Sequence, residues 1–219
     1  MQLPKKSIII DVDLVFYIKK RGLFEKKMEK SFVIEVSARH AHLNKEAVDV
    51  LFGKNYALTP KKQLSQPGQY VCEERVDIIG SKSKIENVSI IGPQREYVQV
   101  EVSQTDARKL GVRAPLRESG DLKLSAGCRL VGPEGELEIE NGLIVAKRHI
   151  HATVEDAKDF GLKDGEIVWV LTQNSERRLI FGDVVFRVSP NFSLAMHIDT
   201  DEANAAGCWQ DSRGKIVKI

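Results

Sequence analysis

The alternation of apolar and polar residues along the chain predicts many short strands and few helices. Short apolar or alternating runs lie at residues 88–91, 136–140, 166–171, 179–181, 184–188 and 215–219. Gly-Pro, Pro-Gly and Asp-Gly pairs separate several of these runs and are typical of turns. Many short strands of this kind favour small β-barrels.

An internal repeat divides this pattern into two copies. Residues 36–47 match residues 145–156, and each segment contains Arg-His-x-His. Residues 100–111 match residues 196–207, and each segment ends in glycine. Because both pairs keep the same order and a similar offset, they indicate a duplication in which the first copy has the longer middle.

Each of the four repeated segments predicts a short helix after its strand. A capping residue precedes each helix, and a left-handed glycine ends it. The predicted caps are Asn44, Thr105, Thr153 and either Asp199 or Thr200, and the helix-ending glycines are Gly53, Gly111, Gly161 and Gly207. The sequence thus predicts a mainly β protein of two small β-barrels related by internal duplication, with short capping helices. Residues 31–144 form the first predicted barrel and residues 145–219 the second.

The composition excludes several classes of partner. The 33 basic and 31 acidic residues give a net charge of +2, which indicates neither a nucleic-acid partner nor a membrane surface. Cys72, Cys128 and Cys208 are far apart and form no C-x-x-C pair, as expected for reduced thiols in the cytoplasm. The apolar stretch 8–18 is too short to span a bilayer. We therefore expect a cytoplasmic protein without membrane or nucleic-acid partners.

All five histidines lie at the strand ends of repeated segments. They are His40, His42, His149, His151 and His197, and Glu101 occupies the position equivalent to His197. Residues i and i+2 of a strand share a face, so each H-x-H pair projects two imidazoles together, within reach of one metal ion. A single pair is equally compatible with surface or hydrogen-bonded core histidines. Its recurrence in duplicated units favours a metal site.

The ligand types suit zinc, although nickel, cobalt and iron accept the same donors. Six candidate ligands are too many for one closed tetrahedral site. They suit two ions with three protein ligands each, which leaves open positions for a substrate. More than one grouping of the six ligands is compatible with the sequence.

Arg95 distinguishes the two copies. It lies six residues before Glu101, whereas no arginine stands at the matching position before His197. The two copies have thus diverged, and a cation is kept at only one of these two matching positions. Arginine binds tetrahedral oxyanions such as phosphate, and a surface arginine paired with a neighbouring glutamate is the alternative.

Five ordered motifs resemble those of the PduL-type phosphotransacylase family. They are Ser-Ala-Arg-His-Ala-His-Leu at 37–43, Leu-Ser-Gln-Pro-Gly-Gln-Tyr at 64–70, Gly-Pro-Gln-Arg at 92–95, Lys-Arg-His-Ile-His at 147–151 and Met-His-Ile-Asp-Thr-Asp-Glu-Ala-Asn at 196–204. The resemblance covers nearly everything from residue 32 to the C-terminus. It includes segments that contain no predicted metal ligand.

The resemblance implies a dizinc enzyme that interconverts a short-chain acyl-CoA (propanoyl-CoA or acetyl-CoA) plus phosphate with acyl phosphate plus CoA. It implies a metal site between two β-barrels, with the strand 32–36 completing the second barrel. The residues that match the family's metal ligands are His40, His42, Glu101, His149, His151 and His197. Arg95 matches the phosphate-binding arginine, and Ser37 and Asn204 match positions near bound CoA. Because symmetric dimers are the commonest oligomers, we expect a homodimer.

Residues 1–30 precede the matched region. Family members that work inside bacterial microcompartments carry an amphipathic N-terminal segment, so the resemblance offers encapsulation, with shell or core partners, as one interpretation. The stretch 8–18 fits both a helical stripe and an alternating strand. A functional start at Met28 is the alternative.

Three other classes use similar ligands. A dizinc hydrolase would attack with a metal-bound hydroxide, which gives Arg95 no role. A cupin-like barrel would use Glu46 and Glu155, which follow the H-x-H pairs. Both glutamates lie in predicted helices, however, and are expected to point away from the metal. A non-catalytic zinc module would need fewer than six ligands.

Overall fold

The structure is a computed structural model that describes residues 30–173 and 176–218. The strands in these ranges are β1 (Ser31–Ser37), β2 (His40–His42), β3 (Pro60–Gln63), β4 (Tyr70–Ile79), β5 (Lys84–Gly92), β6 (Gln99–Glu101), β7 (Leu116–Arg117), β8 (Ala126–Val131), β9 (Glu136–Ala146), β10 (His149–Ala152), β11 (Glu166–Gln173), β12 (Ile180–Val188), β13 (Ala195–Asp199) and β14 (Arg213–Val217). The helices are α1 (Lys45–Phe52), α2 (Gln104–Leu110), α3 (Val154–Phe160) and α4 (Thr200–Ala206).

The strands form two closed barrels. In the first barrel β4, β5, β2, β6, β9 and β8 pair in that order, and β8 pairs back with β4. β3 and β7 extend it alongside β4 and β9. In the second barrel β11, β12, β10, β13, β1 and β14 close in the same way. The predicted mainly β fold of two small barrels is confirmed.

The two barrels exchange one strand. β9 precedes the second H-x-H strand but lies in the first barrel, parallel to β6 and antiparallel to β8. β1 precedes the first H-x-H strand but lies in the second barrel, parallel to β13 and antiparallel to β14. The first barrel is therefore formed by one continuous stretch, residues 40–146, whereas the second combines β1 with residues 149–217. β9 runs to Ala146, past the predicted boundary at residue 144.

Each barrel encloses its own apolar core, because alternate residues of a strand point inward. The first core includes the fully buried side chains of Leu43, Leu51, Ile90, Leu110 and Leu143. The second core includes Phe32, Ile34, Ile150, Phe186 and Met196. The short helices contribute buried apolar side chains to these cores, so each repeated segment runs from a barrel strand into a helix that packs on the same core.

The helix caps agree with the sequence in three of four cases. The side chains of Asn44, Thr153 and Asp199 accept hydrogen bonds from backbone N–H groups of the first turns of α1, α3 and α4. The prediction of Thr105 for α2 was wrong. Ser103 caps α2 instead, since β6 ends early enough for the helix to begin at Gln104.

Three of the four predicted helix-ending glycines adopt the left-handed conformation: Gly111, Gly161 and Gly207. Gly53 has φ 103° and ψ 153°, outside that region, although its N–H still donates to the carbonyl oxygen of Asp49.

Residues 1–29 lie outside the described part of the chain, and with them nearly all of the predicted encapsulation segment and the alternative start at Met28. Lys30 is described, and its Nζ lies 3.0 Å from carboxylate oxygens of both Asp156 and Asp159 on α3. Among the described helices, none is both long and apolar enough to cross a membrane.

Candidate active site

A cavity of about 500 Å³ lies between the two barrels. Both barrels contribute to its walls, which include all five histidines together with Glu101, Arg95 and Ser37. The loop between β3 and β4 and the loop between β12 and β13 also line it. The structure therefore brings eight of the nine predicted site residues to one cavity.

Strand register places the predicted ligands opposite one another. His40 on β2 pairs with Glu101 on β6, and His149 on β10 pairs with His197 on β13. The duplication thus places equivalent residues in equivalent positions of the two barrels. The six residues form two groups, which we call the first group (His40, His42 and Glu101) and the second group (His149, His151 and His197).

The ligand atoms of the first group all lie within 4.8 Å of one another. Nε2 of His40 is 3.6 Å from Oε2 of Glu101. This separation is too long for a good hydrogen bond. It is near the roughly 3.4 Å that separates two ligands of a tetrahedral zinc ion with bonds of about 2.0–2.1 Å. Within the described residues, no other trio meets the same 4.8 Å spacing.

Backbone carbonyl groups orient the imidazoles of the first group. Nδ1 of His40 lies 2.9 Å from the carbonyl oxygen of Ala38, and Nδ1 of His42 lies 3.0 Å from that of Ile91. A carbonyl oxygen only accepts, so in the neutral ring Nδ1 carries the hydrogen and Nε2 presents a lone pair. This is the arrangement in which metal-binding histidines are held.

The second group is a cluster of three imidazoles. Their ring centroids are 4.6 Å apart for His149 and His151, 4.8 Å for His151 and His197, and 5.3 Å for His149 and His197. Nδ1 of His149 contacts the carbonyl oxygen of Lys147 at 2.8 Å. In the described part of the chain, His151 Nδ1 and His197 Nε2 are buried without a hydrogen-bond partner. Such atoms normally cost about 1–3 kcal/mol each, and a bound ion would satisfy them.

Burial keeps most of these imidazoles neutral. It lowers the pKa of His149 and of His197 to about 4 and the pKa of His151 to about 2. The pKa of His42 also lies well below its usual value, chiefly through burial and further through the nearby His40 and Arg95. At neutral pH these rings therefore offer lone pairs rather than positive charge. The donor set of the first group fits a zinc ion.

Arg95 lies in the loop after β5, at the wall of the cavity. Its backbone N–H donates to the carbonyl oxygen of Leu43 at 2.9 Å, which holds the loop against the segment after β2. Its guanidinium Nη1 donates to Ser119 Oγ at 3.3 Å. Arg95 contributes to the lowered pKa of His42, so its charge acts on the first group.

The two positions that the resemblance assigned to CoA separate in space. Ser37 lines the cavity, with Oγ 3.5 Å from Nδ1 of His40. Asn204 is exposed on α4 and does not belong to the described cavity wall.

A second cation lies beside the second group, at a position that does not match Arg95 in the repeat. Arg187 on β12 pairs with His151 on β10 and also lines the cavity. Its guanidinium carbon lies 5.8 Å from the ring centroid of Phe192, and that ring packs on His151 with centroids 4.1 Å apart. The repeat could not reveal Arg187, because it reaches the second group through a pairing between strands that are not adjacent in sequence.

The glutamates of the cupin-like alternative do not reach this cavity. Glu46 and Glu155 are exposed in the first turns of α1 and α3. Their placement follows from the caps Asn44 and Thr153, which start each helix directly after the histidine strand. The structure thus supports Glu101, not these two, as the carboxylate beside the histidines.

Comparisons with known proteins agree with this site. The sequence profile of a family described as phosphate propanoyltransferase matches residues 33–209. The chain is 52% identical over 180 residues to the phosphate propanoyltransferase of Thermotoga maritima, covering 82% of this chain and 86% of that protein. It is 50% identical over 205 residues to the phosphate propanoyltransferase of Listeria monocytogenes, covering 94% of each. The chain therefore belongs to the phosphate propanoyltransferase family and is a phosphate acyltransferase.

Proposed function

We propose that this protein transfers a propanoyl or acetyl group between CoA and phosphate, with one zinc ion at each histidine group. The observation that carries the proposal is the single cavity onto which both groups and Arg95 open. One cavity can hold the phosphate and the thioester together, which is what direct transfer between them requires. The matching names of the relatives support the propanoyl group.

The residues of the cavity have two roles in this proposal, which are binding of the substrates and stabilisation of negative charge. Arg95 binds the phosphate and offsets its charge with paired hydrogen bonds. Bound zinc would supply positive charge for an oxyanion and polarise the thioester carbonyl. The first group lies nearest to Arg95, so we place the phosphate there. We assign the CoA end of the thioester to the part of the cavity wall that contains Ser37, at the junction of the two barrels.

The transfer needs neither a strong general acid nor a covalent nucleophile. The CoA thiolate is a fair leaving group, because ordinary thiols have a pKa of about 8.5. The chain's own thiols are poorly suited to attack, since burial raises the pKa of Cys72 to about 11 and that of Cys128 to about 12. Cys208 is buried as well. Phosphate itself is therefore the proposed nucleophile.

The decisive experiment is a thiol-release assay with propanoyl-CoA in a buffer free of phosphate. We expect release of free thiol only after phosphate is added, and loss of the reaction after a chelator removes zinc. Thiol release without phosphate would instead identify a thioesterase, the hydrolase alternative. Metal analysis of zinc-replete protein is expected to give two zinc ions per chain, and a value far below one would contradict the site.

Arg95→Ala tests the phosphate site within the same assay. Loss of a hydrogen bond to a charged group costs roughly 1.5–3 kcal/mol, so we expect KM for phosphate to rise on the order of 10-fold to 100-fold. KM for acyl-CoA is expected to change far less. Arg129→Ala is the matched control, because Arg129 pairs with Glu136 on the surface of the first barrel. Equal effects of Arg95→Ala on both substrates would refute its assignment.

Acyl-chain preference and location are finer parts of the proposal. Propanoyl and acetyl differ by one methylene, which is worth only about 1–3 kcal/mol in a pocket, so we expect activity with both. Residues 1–30 are proposed as an encapsulation segment. A fluorescent protein carrying them is expected to enter microcompartments, and uniform cytoplasmic fluorescence would favour the start at Met28.

A further inference from the structure

A buried glutamine connects the first group to the wall of the cavity. Gln99 lies on β6, two residues before Glu101, and its side chain is fully buried. Its Nε2 lies 2.6 Å from Oε1 of Glu101 and 2.8 Å from Ser119 Oγ. Its Oε1 accepts from the N–H of Gly120 at 2.8 Å. The amide nitrogen and the amide oxygen of Gln99 therefore both have hydrogen-bond partners, one on β6 and two in the connection between β7 and β8.

The partners fix which way the Gln99 amide points. The Gly120 N–H only donates, so it must face the amide oxygen. The Glu101 carboxylate oxygen accepts a hydrogen bond from Gln99, so it must face the amide nitrogen. The nitrogen also faces Ser119, and Ser119 Oγ therefore accepts a hydrogen bond from Gln99.

Ser119 Oγ accepts a second hydrogen bond, because the Arg95 guanidinium can only donate. A serine hydroxyl has two acceptor sites and one donor. Gln99 and Arg95 thus occupy both acceptor sites, and only the O–H of Ser119 is left to donate a further hydrogen bond. Among the described residues, no acceptor faces this hydrogen, and Ser119 lines the cavity together with Arg95 and Glu101.

We propose that the Ser119 hydroxyl is a phosphate-binding donor beside Arg95, and that Gln99 is the positioning residue which fixes this hydroxyl and the Glu101 carboxylate together. This assignment rests on the proposed function, since it names a further contact of the same phosphate. Because both acceptor sites of the Ser119 hydroxyl are occupied, this hydroxyl can only donate a further hydrogen bond. An anion can accept that bond, whereas another donor cannot bind there. The Ser119–Arg95 pair therefore presents donors only, which is the chemistry that recognises a phosphate oxyanion.

Gly120 supports this arrangement from the backbone. It has φ +96°, a conformation that L side chains rarely adopt, and its N–H is the group that orients Gln99. The chain thus turns between Ser119 and Gly120, so that Ser119 faces the cavity and the N–H of Gly120 faces the buried amide of Gln99.

The test compares Ser119→Ala with Ser119→Thr, which keeps a hydroxyl at the same atom. Inorganic phosphate is titrated calorimetrically into zinc-loaded protein in a phosphate-free buffer, a measurement that needs no turnover. For Ser119→Ala we expect phosphate affinity to fall roughly 10-fold to 100-fold, with unchanged zinc content and little change in KM for acyl-CoA. Ser119→Thr is expected to stay within about threefold of the parent, below the effect of one such hydrogen bond.

Ser125→Ala is the matched control. Ser125 lies in the same connection, and its hydroxyl donates to the Leu122 carbonyl oxygen and accepts from the Gly142 N–H, so both of its roles are structural. We expect Ser125→Ala to leave phosphate affinity unchanged. An equal fall in Ser125→Ala and Ser119→Ala, or no fall in Ser119→Ala, would overturn the proposal. If the parent binds phosphate but releases no thiol, the proposed reaction fails while the Ser119 assignment is still decided by the titration.

Gln99→Met separates the two halves of the proposal. It removes both donors while keeping length, so we expect phosphate affinity to fall as in Ser119→Ala. Zinc is expected to be lost about 10-fold to 100-fold more readily to a chelator, because the ligand Glu101 loses its supporting hydrogen bond. Ser119→Ala should not show that second effect. If Gln99→Met does not fold, Gln99→Glu takes its place. Unchanged zinc retention and phosphate affinity in the folded variant would refute the positioning role.

Discussion

Replacement of Phe32 by alanine tests the strand exchange that closes the second barrel. Phe32 lies on β1 and is 2% exposed. Its ring meets that of Phe160 on α3 edge to face, with centroids 6.1 Å apart. A Cβ added to Gly214 on β14 would lie 2.9 Å from Cε2 of Phe32. The ring therefore fills the space between β1, β14 and α3, and glycine at residue 214 makes room for it.

The expected loss of stability follows from this packing. Truncation of a buried phenylalanine to alanine costs about 3–5 kcal/mol, from lost burial and from the cavity that remains. The surrounding strands belong to a closed barrel and cannot easily move inward, so we expect about 4–5 kcal/mol. A protein of this size has a guanidinium m-value of about 4–6 kcal/mol/M, so the midpoint should fall by roughly 0.7–1.2 M.

Tryptophan fluorescence is the suitable probe, because it reports on the second barrel alone. The chain contains two tryptophans, Trp169 on β11 and Trp209 after α4. Equilibrium unfolding in guanidinium chloride followed by their emission therefore measures the barrel that β1 completes. Far-UV circular dichroism of the same samples follows both barrels.

Val36→Ala is the control on the same strand. Val36 is 39% exposed, so its truncation is expected to cost less than about 1 kcal/mol. A midpoint shift below about 0.2 M for Phe32→Ala would show that β1 does not pack in the second barrel. The strand exchange would then be refuted, whatever the effect of the control.

Two further predictions concern the contact between the barrels and the reactivity of the thiols. Gln66 is buried, and its amide exchanges two hydrogen bonds with the backbone of Ser193 in the other barrel, at 3.0 and 3.2 Å. Gln66→Ala should cost about 2 kcal/mol and lower Tm by about 4–8 °C in calorimetry, and an unchanged Tm would contradict this bridge. Burial raises the pKa of Cys72 to about 11 and that of Cys128 to about 12, and it raises the pKa of Cys208, so each thiol is almost wholly protonated at pH 8. An aromatic disulfide reagent should titrate three thiols only after unfolding, and rapid stoichiometric reaction of the native protein would refute the burial.

The sequence alone left open which of the six predicted ligands lie together, but the duplication explains the grouping that the structure shows. Equivalent segments occupy equivalent places in the two barrels, so His40 faces Glu101 as His149 faces His197. The two-residue period of a strand then brings the second histidine of each pair to the same side. A repeat carries this information because it relates positions that are far apart in the chain.

Features that depend on a single contact between residues far apart in the chain could not be predicted from the repeat. Ser119 reaches Arg95 from a loop that the repeat does not describe, and Arg187 reaches the second group through the parallel pairing of β12 with β10. The wrong cap at Thr105 has a different cause. Ser103 and Thr105 both form good caps, and the choice depends on where β6 ends, which neighbouring strands decide.

The strand exchange also explains how the two histidine groups, which lie in separate barrels, line one cavity. β1 pairs with β13, which carries His197, and after Ser37 the chain enters β2 at His40. β9 pairs with β6, which carries Glu101, and after Ala146 it enters β10 at His149. Each short connection thus ties one group to the other through a strand that belongs to the opposite barrel. The groups cannot separate without breaking a barrel, so their spacing is fixed before a substrate binds, as a reaction between two bound partners requires.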